Sequence, residues 1–189
     1  MSEDAESKVG STGKPVTHID VRIVDECGND VVQGDMGELW VKGPTITKGY
    51  WNKPEADATS FSDGWLHTGD AARQDEDGFY YIVDRTKDMY ISGGENVYPA
   101  EVEDVIYQIE GIVETAVIGV ADEKWGETGC AIAVVEKGSN LTENVILSHC
   151  SERLATFKLP KHVVFVDALP RNATGKVVKT TLRAQYGDG

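Results

Sequence analysis

Apolar positions along this chain change their period part of the way through, and the change divides it in two. In Ile19-Asp-Val-Arg-Ile23 apolar and polar residues alternate, the period of a half-buried strand, and Gly28-Asn29 supplies a turn beyond it. Glu38-Leu-Trp-Val-Lys42 predicts a second strand, framed by Gly37 and Gly43-Pro44. Asp77-Gly78, set between two β-rich runs, is a hairpin signal. Closely spaced strands with turn residues between them predict a small antiparallel barrel or sheet up to Asp84.

After Arg85 the pattern is mixed. Pro99 suits the first helical position, and Val102, Val105, Ile106 and Ile109 follow at helical spacing as far as Gly111. The apolar runs from Val113 to Val120 and from Cys130 to Val135 predict buried strands. Thr142 can cap a second helix with Ile146, Cys150 and Leu154 on one face. Val163 to Val166 predicts a further strand, and Val177 to Gln185 a short last helix. The expected fold class is α+β. An antiparallel β-rich subdomain covers residues 1–84 and a compact α+β domain residues 85–189, joined near Arg85 to Asp88.

Composition narrows the function classes. The 189 residues are 40% hydrophobic and 26% charged, which suits one globular domain or two small ones. No apolar run approaches the roughly 20 residues of a membrane span. The stretch from Met1 to Lys8 lacks the basic-then-apolar order of a signal peptide. Cys27, Cys130 and Cys150 are odd in number without a C-x-x-C spacing, so buried thiols in a reducing cytoplasm are expected, with neither disulfide nor metal site. The net charge of −14 argues against nucleic acid. The charge is uneven, however: Lys158, Lys161, Arg171, Lys176, Lys179 and Arg183 are opposed in their stretch only by Asp167. Such a stretch either receives a small polyanion, such as a nucleotide, or is an ordinary basic helix face.

Four loops could carry chemistry. Gly10-Ser-Thr-Gly-Lys-Pro15 looks like a phosphate loop, but a β-patterned stretch follows it instead of a helix, so it reads as a turn entering a strand. Trp65-Leu-His-Thr-Gly-Asp70 ends in a carboxylate on a glycine turn, with Asp84-Arg-Thr-Lys-Asp88 across a hairpin. A carboxylate so placed can accept both hydroxyls of a ribose and an arginine can add donors, although Asp–Arg pairs are also common surface salt bridges. Ile91-Ser-Gly-Gly-Glu-Asn-Val-Tyr-Pro99 is a glycine loop that permits either close approach of backbone to a ligand or a plain hairpin turn. Leu169-Pro-Arg-Asn-Ala-Thr-Gly-Lys176 presents one lysine on a loop bounded by proline and glycine.

Taken in order, the last three of these stretches, with Gly-Glu-Leu-Trp-Val-Lys-Gly-Pro and Lys-Gly-Tyr-Trp before them, resemble the later signatures of the adenylate-forming superfamily. That superfamily comprises acyl- and aryl-CoA synthetases, adenylation domains of peptide synthetases and firefly-type luciferases. The resemblance runs from about Lys8 to Arg183. It implies the C-terminal part of an ATP-dependent carboxylate–CoA ligase: the end of the large AMP-binding domain, then the small mobile lid domain. Implied substrates are a fatty or aromatic carboxylic acid, ATP with Mg2+, and CoA.

By the same resemblance Asp70 holds the ATP ribose and Arg85 adds a ribose or phosphate contact. Lys87 stands at the hinge between two working orientations of the lid. Gly93 and Gly94 line the pantetheine tunnel, and Lys176 bridges the substrate carboxylate and the α-phosphate. Trp125 stands where some aryl-CoA ligases stack the CoA adenine, with Phe157, Lys158 and Lys161 as its neighbours. Leu159 departs from the basic residue such ligases have there, which leaves the 3′-phosphate contact open. The family's phosphate loop, its Tyr-Gly-x-Thr-Glu signature and its acyl pocket precede the matched region, so this chain alone is expected to be inactive. Two other readings follow: an adenylation domain that delivers to a carrier protein, and a non-catalytic module that binds a nucleotide or a partner.

Overall fold

The alternation that begins at Ile19 becomes β1 (Asp20–Val24), which pairs antiparallel with β2 (Gly37–Lys42). This computed structural model describes residues 7–187, so most of the stretch read for a signal sequence lies outside the described residues. The chain divides between Lys87 and Asp88 into two compact units.

The first unit is an antiparallel sheet. Of the barrel and the sheet its pattern allows, the sheet is found: β1, β2, β4 (Trp65–Gln74) and β3 (Phe61–Ser62) lie side by side, and β5 (Tyr80–Arg85) also pairs with β4. The Asp77-Gly78 turn joins β4 to β5. Asp75 accepts the N–H groups of Asp77 and Phe79 there, while Gly78 adopts a positive φ. Residues Gly10 to Pro15 do run into strand-like pairing, because Thr12 and Gly13 exchange backbone hydrogen bonds with Tyr80. One helix was illegible in the apolar pattern, α1 (Pro54–Ser60), because none of its residues is buried. Pro54 starts it, and Glu55 and Asp57 complement its N-terminal dipole. The core here is thin. Ile23, Val24, Ala71 and Ala72 are buried, whereas Val9, Val16, Val32 and Trp51 are exposed.

The second unit is built on one sheet buried on both faces. Its strand order is β10 (Pro160–Phe165), β9 (Gly126–Val135), β6 (Tyr90–Ser92) and β7 (Glu95–Val97), with β8 (Ile112–Asp122) also on β9. All pairs are antiparallel except β9 with β10. Successive strand side chains point to opposite faces, which explains the apolar runs that lack alternation. Val117, Ala131 and Ala133 enter a cluster with Val102 and Ile106 of α2 (Pro99–Tyr107) and Ile146 and Cys150 of α3 (Glu143–Ser151). Ala116, Ile118, Val120, Cys130 and Ile132 enter another with Leu182 of α4 (Lys179–Tyr186).

Strand ends differ from the sequence expectation by a few residues, as at β10, which runs from Pro160 to Phe165, and the helices differ in detail. Helix α2 stops at Tyr107, although Ile109 beyond it is still buried. Thr142 stands at the N-cap of α3, but its hydroxyl makes no capping bond. The last helix begins at Lys179 rather than Val177, since Arg171 and Val177 form an isolated bridge. No helix among the described residues is long and apolar enough to cross a membrane.

Candidate functional site

In the first unit a register slip between β2 and β4 creates a projection. Glu38 stands opposite Ala71, yet Trp40 stands opposite His67. β4 therefore carries two residues more than β2 over that interval, and Thr68-Gly69-Asp70 bulges outward. The bulge is tied down: Thr68 Oγ1 donates to the Leu39 carbonyl at 2.7 Å and accepts the Asp70 N–H at 3.1 Å. Gly69, at φ +70°, donates its N–H to Glu38 Oε1 at 3.0 Å. Trp40 Nε1 donates to the other Glu38 oxygen, and the indole stacks on His67 with ring centroids 3.9 Å apart.

Asp70 is thereby set opposite Arg85 of β5. Arg85 Nε lies 3.1 Å from Asp70 Oδ1, with side chains 51% and 32% exposed. Both groups stay open to a ligand. A carboxylate about one-third exposed, with one oxygen steadied by a guanidinium, can accept hydrogen bonds from a vicinal diol. Lys87, exposed, lies in a 3-10 turn (Thr86–Asp88) at the end of this unit.

In the second unit Gly93 and Gly94 form the turn of the β6–β7 hairpin, both at positive φ. Ser92 pairs with Gly126, Gly93 donates its N–H to the Trp125 carbonyl at 2.8 Å, and Ile91 donates its N–H to Glu127 Oε2 at 2.9 Å. The glycine hairpin is thus sewn to the β8–β9 turn that carries Trp125. Beside that turn opens a cavity of about 510 Å3, lined among others by Ser92, Trp125, Thr128, Phe157, Leu159 and Lys161. Two aromatic rings, hydroxyls and one lysine in its lining suit a flat heteroaromatic ligand bearing polar groups.

The two neighbouring lysines behave differently. Lys158 Nζ is held by both oxygens of Glu101 at 2.7 Å, and Lys158 does not line the cavity. Lys161 lines it and pairs with Asp122. Asp122 also accepts the N–H groups of Lys124 and Trp125. Chiefly through Lys161, and then through those donors, its carboxyl is held below the usual carboxylate range.

Lys176 sits on an exposed loop whose shape is set by Asn172. The Asn172 Oδ1 accepts the N–H of Thr174 at 3.0 Å and of Lys176 at 2.9 Å, and the two residues exchange a backbone bond from Asn172 N–H to the Lys176 carbonyl. Arg171 fastens the loop from outside by donating to the Gly175 carbonyl and to Glu114. The lysine is thus presented on a fixed backbone.

The expectation that all three thiols are buried is corrected. Cys130 and Cys150 are buried, and desolvation pushes each up to about 11, which makes them unreactive. Cys27 is exposed, because it lies in a turn where Asp25 accepts its N–H. Among the described residues no group of three or more His, Cys, Asp and Glu could hold a metal ion. Sequence reasoning missed Glu38, Asp122, Glu127 and Asn172. Only Asn172 and Asp122 had a local signal, an Asx-turn residue two to four places before the residues it steadies.

Comparison with known proteins adds a second line. The model of the AMP-binding enzyme C-terminal domain matches residues 101–176, and that of the AMP-binding enzyme matches residues 1–51. The chain is 49% identical over 186 residues to a long-chain-fatty-acid–CoA ligase of Mycobacterium tuberculosis, covering 98% of this chain and 37% of the relative. It is 47% identical over 180 residues to a feruloyl-CoA synthase of Amycolatopsis, covering 95% and 37%. The solved o-succinylbenzoate CoA synthetase of Bacillus subtilis, in complex with its acyl-adenylate intermediate, superposes with a TM-score of 0.89 at 40% identity, over 96% of this chain and 37% of that one. The chain therefore spans little more than a third of the length of the relatives it matches.

Proposed function

Because the chain belongs to the AMP-binding, adenylate-forming enzyme family, we propose that it is the C-terminal part of an ATP-dependent carboxylate–CoA ligase acting on a fatty or aromatic acid. The observation that carries this reading is the cavity beside the glycine hairpin, where Trp125, Phe157 and Lys161 converge from distant parts of the sequence. In this reading it receives the nucleotide end of CoA. Gly93 and Gly94 line the path of the pantetheine arm. Lys158 supports the site from its pair with Glu101 rather than as a free cation.

The chemistry has two steps. A carboxylate oxygen attacks the α-phosphorus of MgATP, the bond to pyrophosphate breaks, and acyl-AMP forms. The CoA sulfur then attacks the acyl carbon, its proton passes to solvent, and AMP leaves. Asp70 and Arg85 hold the ribose through both steps. Lys176 steadies the negative charge gathering between carboxylate and α-phosphate in the first, where a fixed cation acts without reorganisation. Lys87 is the hinge between the two steps.

The exposed Val9, Val16, Val32 and Trp51 of the first unit support its assignment to the end of a larger domain, whose remainder would cover them. A reducing cytoplasm is the compartment that suits three free thiols. The test is made in the full-length enzyme, by following pyrophosphate, AMP and thioester over a panel of fatty and aromatic acids. ATP- and CoA-dependent thioester formation is expected. Adenylation with transfer only to a carrier protein would replace this reading with the peptide-synthetase one, and no adenylation with any acid would leave the non-catalytic module. The isolated chain is expected to show background pyrophosphate exchange.

A further inference from the structure

Asp122 ends β8 and contacts two residues that line the cavity, Trp125 and Lys161. Its Oδ1 accepts the N–H groups of Lys124 at 2.9 Å and Trp125 at 2.8 Å, and its Oδ2 accepts from Lys161 Nζ. Lys161 belongs to β10, 39 positions further along the chain. The carboxylate is only 13% exposed and the lysine 40%, so the acid lies beneath the ammonium that it orients.

Asp75, in the first unit, joins its own turn to Lys8 in a similar way, but two other Asx residues do less. Asp25 and Asn172 use an oxygen on neighbouring N–H groups of their own turns, and their remaining bonds also stay within those turns. The β8–β9 ladder, moreover, is already in continuous register from Glu114↔Val134 to Asp122↔Gly126, and Gly126 closes the turn at φ +80°. The second oxygen of Asp122 adds nothing to that pairing. What it adds is a fixed distance between the turn that bears the indole and the lysine in the cavity lining.

We propose that Asp122 is a positioning residue for the acceptor substrate: one carboxylate sets the Trp125 turn with one oxygen and the Lys161 ammonium with the other, so that both lining residues are in place before the nucleotide end of CoA arrives. The inference rests on the CoA-ligase reading given above, which supplies the occupant of the cavity. A preorganised lining lowers the cost of binding without touching the reacting atoms. Loss of Asp122 should therefore weaken CoA and spare acyl-AMP formation.

The experiment uses the full-length enzyme, with thioester formation measured from preformed acyl-AMP and adenylation measured by pyrophosphate exchange. Trp125→Ala and Asp122→Ala should each raise the KM for CoA about tenfold, with kcat and exchange within about twofold of wild type. Asp122→Asn keeps an oxygen for the two backbone N–H groups and loses the pair with Lys161, so its KM should fall between wild type and Asp122→Ala. In the Trp125→Ala background, Asp122→Ala should add at most about threefold, because it acts largely through the missing ring. An unchanged KM in Asp122→Ala beside a raised one in Trp125→Ala overturns the positioning role alone. An unchanged KM in both overturns the assignment of the cavity to CoA. Loss of pyrophosphate exchange in both Asp122 variants marks a purely structural residue and also overturns the proposal.

Discussion

A β-carbon placed on Gly93 would lie 2.5 Å from Cε3 of Trp125. The Cε3–Cζ3 edge of the indole abuts the backbone of the glycine hairpin, and the Gly93 N–H donates to the carbonyl of the same tryptophan. Two features that are far apart in the sequence, a glycine loop and a stacking tryptophan, are therefore one local structure. The hairpin cannot gain a side chain at Gly93 unless the ring moves.

Its neighbour provides the control. Gly93 and Gly94 have φ of +63° and +88°, so alanine at either carries the left-handed penalty of about 1–2 kcal/mol. At Gly94 a β-carbon meets open space. Gly93→Ala should accordingly destabilise the second unit more than Gly94→Ala and shift the tryptophan fluorescence, and in the full-length enzyme it should raise the KM for CoA. Gly94→Leu should leave adenylation intact and slow thioester formation by filling the path of the pantetheine arm. Equal thermal shifts in the two alanine variants would show that the ring moves aside without cost.

The elements that were legible in the sequence are those with a burial period. The strands β8 and β9 read as apolar runs because both of their faces are covered, and α2 read as a helix because Val102 and Ile106 recur on its buried side. Helix α1 was illegible because nothing in it is buried. Lys158 and Lys161 illustrate the limit at the site. They are alike in type and three positions apart, and what separates them is that Glu101, 57 positions from Lys158, holds one while Asp122, 39 positions from Lys161, holds the other at the cavity. Glu38 was missed for a similar reason: its task is to accept a bond from a bulge in another strand. Sequence signatures marked the residues proposed to face a ligand, and the fold added those that stand behind them.

Asp70 should matter to ATP and little to stability. Its pair with Arg85 is part-exposed, and such pairs contribute about 0–1 kcal/mol. Asp70→Ala should thus leave the melting temperature nearly unchanged. In the full-length enzyme the loss of a charged hydrogen-bond partner, about 1.5–3 kcal/mol, should raise the KM for ATP roughly 10- to 100-fold. A KM for ATP that stays at the wild-type value would remove Asp70 from the ribose site.

The first unit should weaken in acid through Asp75. Lys8 Nζ lies 2.8 Å from its carboxylate, the Phe79 N–H and the Tyr81 hydroxyl also donate to it, and these contacts, Lys8 first, lower its pKa to about 2. An unfolded aspartate titrates near 3.9. The folded value is the lower one, so the stabilisation is complete above about pH 4 and fades as pH falls towards 2. Titration of the Asp75 carboxyl carbon by NMR should show the low value, and Lys8→Met should move it upward together with the midpoint of acid unfolding. If Asp75 titrates with the ordinary carboxylates in the unsubstituted protein, the contact with Lys8 does not persist in solution.

Lys176 offers the sharpest separation of the two half-reactions. Its side chain is exposed, and its backbone is held by Asn172 and by the Arg171 fastening, none of which involves the ammonium group. Lys176→Ala should therefore remove a charge and leave the loop in place. Loss of one charge-stabilising donor typically costs on the order of 10²–10³ in rate, so pyrophosphate exchange in the full-length enzyme should fall at least that far. When synthetic acyl-AMP is supplied, the same variant should transfer the acyl group to CoA at near the wild-type rate, because the charge that Lys176 steadies has already been resolved. Lys176→Arg keeps the charge but spreads it over a planar fork, and it should restore only part of the exchange. If Lys176→Ala slows both half-reactions by the same factor, the lysine serves the architecture of the lid and not the formation of the adenylate.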